Sequence, residues 1–164
     1  MSTNIARGRT LLWVDDDGPE RFLYEAYMLE RSGWKVQWAR SVMEGMESLG
    51  QERFDAVLLD QMLPFGVLGA DGGDPPDVWA GCLLLYWLRG LSRPSAAPPV
   101  RASDEREFSS RRAREENREV PAIIVSAFYD DDVDAAVKKV QAVPQFSKPL
   151  EVQQLLAVLE AKHD

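Results

Sequence analysis

Four short strand-like runs in this chain each end in a side chain able to do chemistry. Residues 56–59, Ala-Val-Leu-Leu, run into Asp60, and residues 11–14, Leu-Leu-Trp-Val, run into Asp15, Asp16 and Asp17. Residues 120–125, Val-Pro-Ala-Ile-Ile-Val, end at Ser126, and the run Gln145-Phe146-Ser147 ends at Lys148. Carboxylates brought within a few ångströms of one another in a poorly solvated site repel by several kcal/mol, so they take up a cation or a proton. A hard, oxygen-seeking Mg²⁺ that keeps part of its water suits such a set. Lysine adds a fixed positive charge and serine a hydroxyl donor, and both suit a phosphoryl group. An aspartate after a strand is also a common turn residue. The chemistry therefore depends on the four strand ends meeting.

They meet if the strands lie parallel in one sheet, and the pattern between them supplies the units. Continuous apolar runs of this length suit strands buried on both faces. Residues 20–30 place Leu23, Ala26, Tyr27 and Glu30 at helical spacing as an inward row, and Gly33 stops the helix. Residues 35–39 alternate, with Val36 and Trp38 on one face; Ser41 with Glu44 then forms a capping box for a helix carrying Val42, Met46 and Leu49 on one side. Residues 78–91 read as a helix with Cys82, Leu85, Tyr86 and Arg89 at helical spacing. Trp79, Leu83, Leu84, Trp87 and Leu88 make it apolar nearly all round, which requires deep burial or a partner. Behind Asp130, Asp131 and Asp132, whose charges suit a helix amino terminus, Val133, Ala136, Val137 and Val140 mark another helix, and the last one, from Glu151, buries Val152, Leu155, Leu156 and Leu159. The sum is an α/β fold: a five-stranded, doubly wound parallel sheet whose right-handed crossovers put every strand's carboxyl end on one edge. Ligands of such sheets bind in the crevice on that edge.

Two stretches interrupt the alternation. Residues 66–77, GVLGADGGDPPD, form a long loop leaving the strand that carries Asp60, so they are expected on the reactive edge. Gly66, Gly69, Gly72 and Gly73 permit backbone shapes other residues resist, and Asp71, Asp74 and Asp77 bring negative charge toward Asp60, so the loop is expected to modulate the site. Residues 92–119 begin as a proline-bearing linker and continue with six arginines against six acids in 101–119, Phe108 being the only large apolar side chain there. That composition predicts a solvated mixed-charge helix or disorder, with no buried face. Joining a helix end to a strand start, the segment is expected on the opposite edge, remote from Asp60.

Composition narrows the classes. An apolar content of 45% over 164 residues allows one compact domain with a substantial core, spanning 1–164 with the two insertions. No apolar run reaches membrane-spanning length, and the amino terminus lacks the apolar segment of a secretory signal. The single cysteine, Cys82, excludes an internal disulfide, fits a reducing cytoplasm and reads as a small core residue. With one histidine, His163, zinc and Cys-His catalysis are disfavoured. A net charge of -8 argues against a nucleic-acid surface.

The acidic pair in LLWVDDD, the aspartate in DAVLLDQMLP, the hydroxyl residue before alanine in AIIVSA and the Lys-Pro in QFSKPL occur in an order that resembles the response-regulator receiver family, the chemotaxis-type domains of two-component signalling. The resemblance covers about residues 9–65, 78–91 and 120–162. It implies a flavodoxin-like (βα)5 fold with strand order 2-1-3-4-5. It also implies that Asp60 accepts a phosphoryl group from a histidine kinase or histidine phosphotransfer protein. Asp15 and Asp16, which directly follow the apolar run as the family's pair does, would hold Mg²⁺ together with Asp60 and the Met62 backbone carbonyl. Lys148 would pair with the phosphoryl oxygens, and Ser126 would move to bond one of them. That movement would shift the face built from the last strands toward a downstream protein target. The Lys148-Pro149 bond is commonly cis in the family.

A cytoplasmic protein follows from the resemblance, with no direct nucleic-acid or membrane contact and no enzymatic activity beyond its own phosphorylation and dephosphorylation. The chain departs from the family in three ways: Gln145 stands where an aromatic residue often lies three before the lysine, the two insertions are extra, and no effector domain follows, which implies a stand-alone receiver. Gln145 and the insertions favour a phosphorylation-independent adaptor as the alternative, while the complete set of acids, serine and lysine speaks against it. A phosphatase of the haloacid-dehalogenase type needs a second aspartate two residues after its nucleophile. Here that position is Met62.

Overall fold

The computed structural model describes residues 8–66, 74–128, 130–140 and 144–163. Strands β1 (Arg9–Val14), β2 (Trp34–Ala39), β3 (Ala56–Asp60), β4 (Ala122–Ser126) and β5 (Gln145–Ser147) form one sheet in the order β2-β1-β3-β4-β5. Every neighbouring pair is parallel. This is the flavodoxin-like arrangement the sequence predicts. The helices are α1 (Leu23–Arg31), α2 (Val42–Gln51), α3 (Ala80–Leu88), α4 (Ala102–Ser110), α5 (Asp131–Lys138) and α6 (Val152–Ala161). Among the described residues no helix is long and apolar enough to cross a membrane.

Both faces of the sheet are covered, which is why β3 is apolar without alternation and buried at all five positions. Leu12, Val14, Val57, Leu59 and Ile124 pack with residues of α2, α3 and α5, whereas Leu11, Trp13, Leu58, Ile123 and Val125 pack with Leu29 of α1 and with α6. The stripes foreseen for α2, α5 and α6 are the buried ones. Ser41 caps α2 by accepting the Glu44 amide at 3.2 Å, and Asp130 caps α5 by accepting the Asp132 and Val133 amides.

The expected inward row of α1 is corrected: Leu23 is 71% and Tyr27 53% exposed, and Glu30 is exposed too. The helix begins only at Leu23, so Phe22, just outside it, starts the buried stripe that half-buried Ala26 and fully buried Leu29 continue. A one-residue offset turns a helix face by roughly 100°, enough to put the expected row in solvent.

The segment 92–119 is also corrected, because it does have a buried face. It forms α4 and a single 3-10 turn at Glu115–Asn117. Asn117 is fully buried, Asp104 is 2% exposed, and Phe108 meets Phe65 edge-on with ring centroids 6.2 Å apart. Its docking is largely polar. The Trp87 indole donates to the Arg111 carbonyl at 3.0 Å, the Arg114 amide to the Leu49 carbonyl at 2.9 Å, and the Arg114 guanidinium to the Gln51 carbonyl at 3.1 Å. This cover explains α3, whose residues are buried at every position but Trp87. Nor is the segment confined to the far edge. Arg101 bridges Asp104 and Asp74, and Phe65 lies just beyond the end of β3.

Of the 66–77 loop, Gly69, Asp71, Gly72 and Gly73 lie outside the described residues. Its base is pinned by an antiparallel bridge between Leu63 and Asp77, and Asp77 accepts the Trp79 amide at 2.7 Å ahead of α3.

Candidate functional site

Register brings the strand ends together. Val14 pairs with Leu59 and Asp60 with Val125, so Asp15, Asp60 and Ser126 emerge side by side from three adjacent strands. Ser126 pairs with Ser147, which places Lys148 one step beyond on the fourth. The chain leaves β1 for β2 on one side and returns to β3 on the other, so the carboxylates stand at the reversal point of the sheet, where its crevice opens.

Lys148 Nζ donates to Asp15 Oδ2 and to Asp60 Oδ2, each at 2.9 Å. Asp15, Asp16 and Asp60 offer carboxylate oxygens that all lie within 4.8 Å of one another. Asp15 is fully buried and Asp60 5% exposed. Burial and then repulsion by Asp15 push the Asp60 carboxyl up to about 6, against the pull of Lys148 and of the Met62 amide. Asp16 is raised too, by burial and by its acidic neighbours. Burial draws the Lys148 ammonium down, but the two carboxylates outweigh it and leave its pKa above the ordinary value. Three acids thus share one cation.

The other expected residues stand in the same place with different partners. The Met62 amide donates to Asp60 Oδ1 at 3.2 Å, and Met62 lines a cleft of ≈ 160 Å³ with Asp16, Asp60, Ser126, Phe128 and Lys148. The Ser126 hydroxyl bonds neither Asp60 nor Lys148: it donates to the Phe128 carbonyl and accepts the Phe128 amide, both at 3.1 Å. Asp17 gives only its amide, to Asp15 Oδ1 at 2.9 Å. The Lys148-Pro149 bond is cis. Gln145 lies near Asp134, whose carboxyl is held low first by Lys138.

Three further residues shape the site. Phe22 lies beneath the Lys148 ammonium, its ring centroid 5.5 Å away, and packs in turn on Trp13 with the rings tilted by 31°. Gln61, 5% exposed, has its amide nitrogen buried without a partner beside Ser126 and Gln145. Gly81 allows α3 to rest directly on the Asp60 backbone, since a Cβ there would stand 2.1 Å from the Asp60 carbonyl oxygen. Of these only the glycine near the start of α3 could have been suspected from the sequence.

No protein-family model matches the chain, and no curated protein matches it. Solved structures do match. The receiver domain of Francisella response regulator 1452 superposes with a TM-score of 0.62 at 18% identity, over 94% of this chain and 96% of that one. A CheY-like response regulator receiver domain protein from Methanospirillum hungatei JF-1 gives 0.58 at 19% identity, over 94% and 96%. A response regulator protein from Burkholderia pseudomallei, solved with a phosphorylated aspartic acid, calcium ion and citrate, gives 0.56 at 16% identity, over 92% and 66%. The chain has the fold of response-regulator receiver domains.

Proposed function

We propose that this receiver fold serves as a phospho-accepting receiver of a two-component signalling system, spanning 1–164 with insertions at 66–77 and 92–119. Asp60 is the acceptor. The observation that carries this reading is the Lys148 ammonium held between Asp15 and Asp60 at the sheet's crevice, with Asp16 completing the acidic group. An all-carboxylate donor set is hard and oxygen-only, which fits Mg²⁺. The fit is also electrostatic, because the surplus negative charge that raises Asp60 is what a divalent cation removes. Asp15, Asp16, Asp60 and the Met62 backbone carbonyl would hold it. When bound, the metal neutralises charge on the phosphoryl oxygens.

The chain's own groups do the rest. With its carboxyl at about 6, Asp60 is mostly ionised at neutral pH, as a nucleophile must be. A carboxylate oxygen attacks the phosphorus of a phosphohistidine on a kinase or phosphotransfer protein. The new O–P bond forms as the N–P bond breaks, and the imidazole leaves with the electron pair and takes up a proton. Lys148 turns its N–H groups to the phosphoryl oxygens. Ser126 exchanges its bond to the Phe128 carbonyl for one to a phosphoryl oxygen, which moves the 126–128 segment and presents a changed surface to a downstream protein target in the cytoplasm. The phosphorylated aspartic acid of the Burkholderia neighbour supports this use of the fold. The second reading, a phosphorylation-independent adaptor, is favoured by Gln145 standing three before Lys148, where the family often has an aromatic residue, and by the two insertions. Incubation with Mg²⁺ and a small phosphodonor, followed by intact-mass measurement, separates the two. The receiver gains one phosphoryl group and loses that gain in chelator, whereas the adaptor gains none.

A further inference from the structure

We infer that the 92–119 insertion builds a second binding site, a cleft for a small phosphate-bearing molecule with a planar ring, of the nucleoside diphosphate class. The cleft lies between the carboxyl end of α3 and the chain after α4 and has a volume of ≈ 360 Å³, within the range of small-molecule sites. Asp60 rests against Gly81 at the other end of α3, so the two sites are separate. Trp87, Leu91 and Phe108 form apolar walls, and Arg111, Arg112 and Arg118 line the same space, with no acidic side chain among the lining residues.

Two of those arginines are poorly matched within the protein. Arg111 is bonded to Glu107, but Arg112 reaches only the Ser109 carbonyl at 3.5 Å. The Arg118 guanidinium lies beside Gly90, which has no side chain to intrude on it, and among the described residues it has no ion pair. In a chain of net charge -8, two neighbouring arginines without a carboxylate partner, Arg112 and Arg118, are complementary to an anion. Guanidinium forks match phosphate oxygens two at a time. The indole of Trp87 is fixed by its bond to the Arg111 carbonyl at 3.0 Å, so it offers a ring of set orientation for stacking. An adjoining cavity of ≈ 180 Å³ shares Trp87, Leu91 and Phe108 and gives a planar ring room to extend. The limited volume and the acidity of the whole chain favour a small molecule over a nucleic-acid strand.

The site does not depend on Asp60 being an acceptor, and its test is kept apart from that one. The full chain is titrated calorimetrically with guanosine diphosphate in chelator, so that no metal can hold a phosphate at the strand ends. The expected result is saturable binding at one site, tighter than for pyrophosphate or for guanosine, each of which lacks half of the ligand. The double variant Arg112→Glu, Arg118→Glu changes exposed side chains only, and it is expected to bind at least about tenfold more weakly. In the unaltered protein the Trp87 indole N–H resonance shifts on titration, a readout that stands even if the double variant folds poorly. Absence of saturable binding, equal affinity in a folded double variant, an unmoved Trp87 resonance, or tighter binding of pyrophosphate or a short DNA strand overturns the proposal.

Discussion

Two polar clusters are buried to the same depth in this chain and are treated oppositely. Asn117, fully buried in the insertion, has every polar atom of its side chain engaged: it accepts the Phe54 amide at 2.9 Å and donates to the Leu49 and Glu52 carbonyls at 2.9 and 2.7 Å. Asp15 and Asp60, equally sunk at the strand ends, share one ammonium and leave Asp60 pushed up to about 6. A satisfied polar knot holds structure in place, while an unsatisfied charge waits for something from outside. The contrast separates a part of the fold from a site.

Removing each cluster's key group tests that contrast, and Asn117→Ala has the largest expected effect. It leaves the Phe54 amide and two carbonyls without their partner, so it should cost about 3–5 kcal/mol in urea unfolding while the folded fraction still phosphorylates. A loss below about 1 kcal/mol would show that the knot is not holding the insertion down. Asp60→Asn should do the reverse. Asp60's folded pKa of about 6 lies above its ordinary 3.8, so the native state binds the extra proton between those values and stability falls as pH rises through that window. The variant is therefore expected to be about 1–2 kcal/mol more stable than the parent at pH 7.5 in chelator, with the gain gone near pH 4. A gain independent of pH would contradict the charge account.

Smaller effects sharpen the edges of the two regions. Asp16→Ala should weaken Mg²⁺ binding by about tenfold, near 1.4 kcal/mol, and Asp17→Ala by less than about twofold. Asp16 belongs to the carboxylate group and Asp17 gives only its amide, so a reversed order in calorimetry would move the acidic pair by one residue. Phe108→Ala removes a half-buried ring from the α4 contact and should cost about 1 kcal/mol, read as faster hydrogen exchange over 102–110 with the strands unchanged.

What could be read in advance follows from what each element uses to hold itself. The strands and the stripes of α2, α5 and α6 are apolar patterns, and patterns are visible in one dimension. The meeting of Asp15, Asp16, Asp60, Ser126 and Lys148 on one edge follows from parallel strands of matched register, so it was legible too. The face of α1 was misjudged because its first buried residue, Phe22, precedes the helix. The insertion was misjudged because it docks through carbonyls of α2 and arginine and asparagine side chains, contacts that leave no periodic trace. A signal did exist elsewhere. A helix apolar on all sides, as α3 is, needs a cover that the rest of the pattern did not supply. The orphaned Gln61 amide and the aromatic bed under Lys148 depend on tertiary placement alone.

The central claim is that Asp60 receives the phosphoryl group. It is tested most directly by treating the protein with Mg²⁺ and a small phosphodonor, trapping the acyl phosphate by borohydride reduction, and locating the reduced residue by peptide mass mapping. The account predicts reduction at Asp60, and an Asp60→Asn variant that gains no phosphoryl mass under the same treatment. Reduction at Asp15, Asp16 or any other carboxylate in the unaltered protein, or a full phosphoryl gain in the variant, contradicts it.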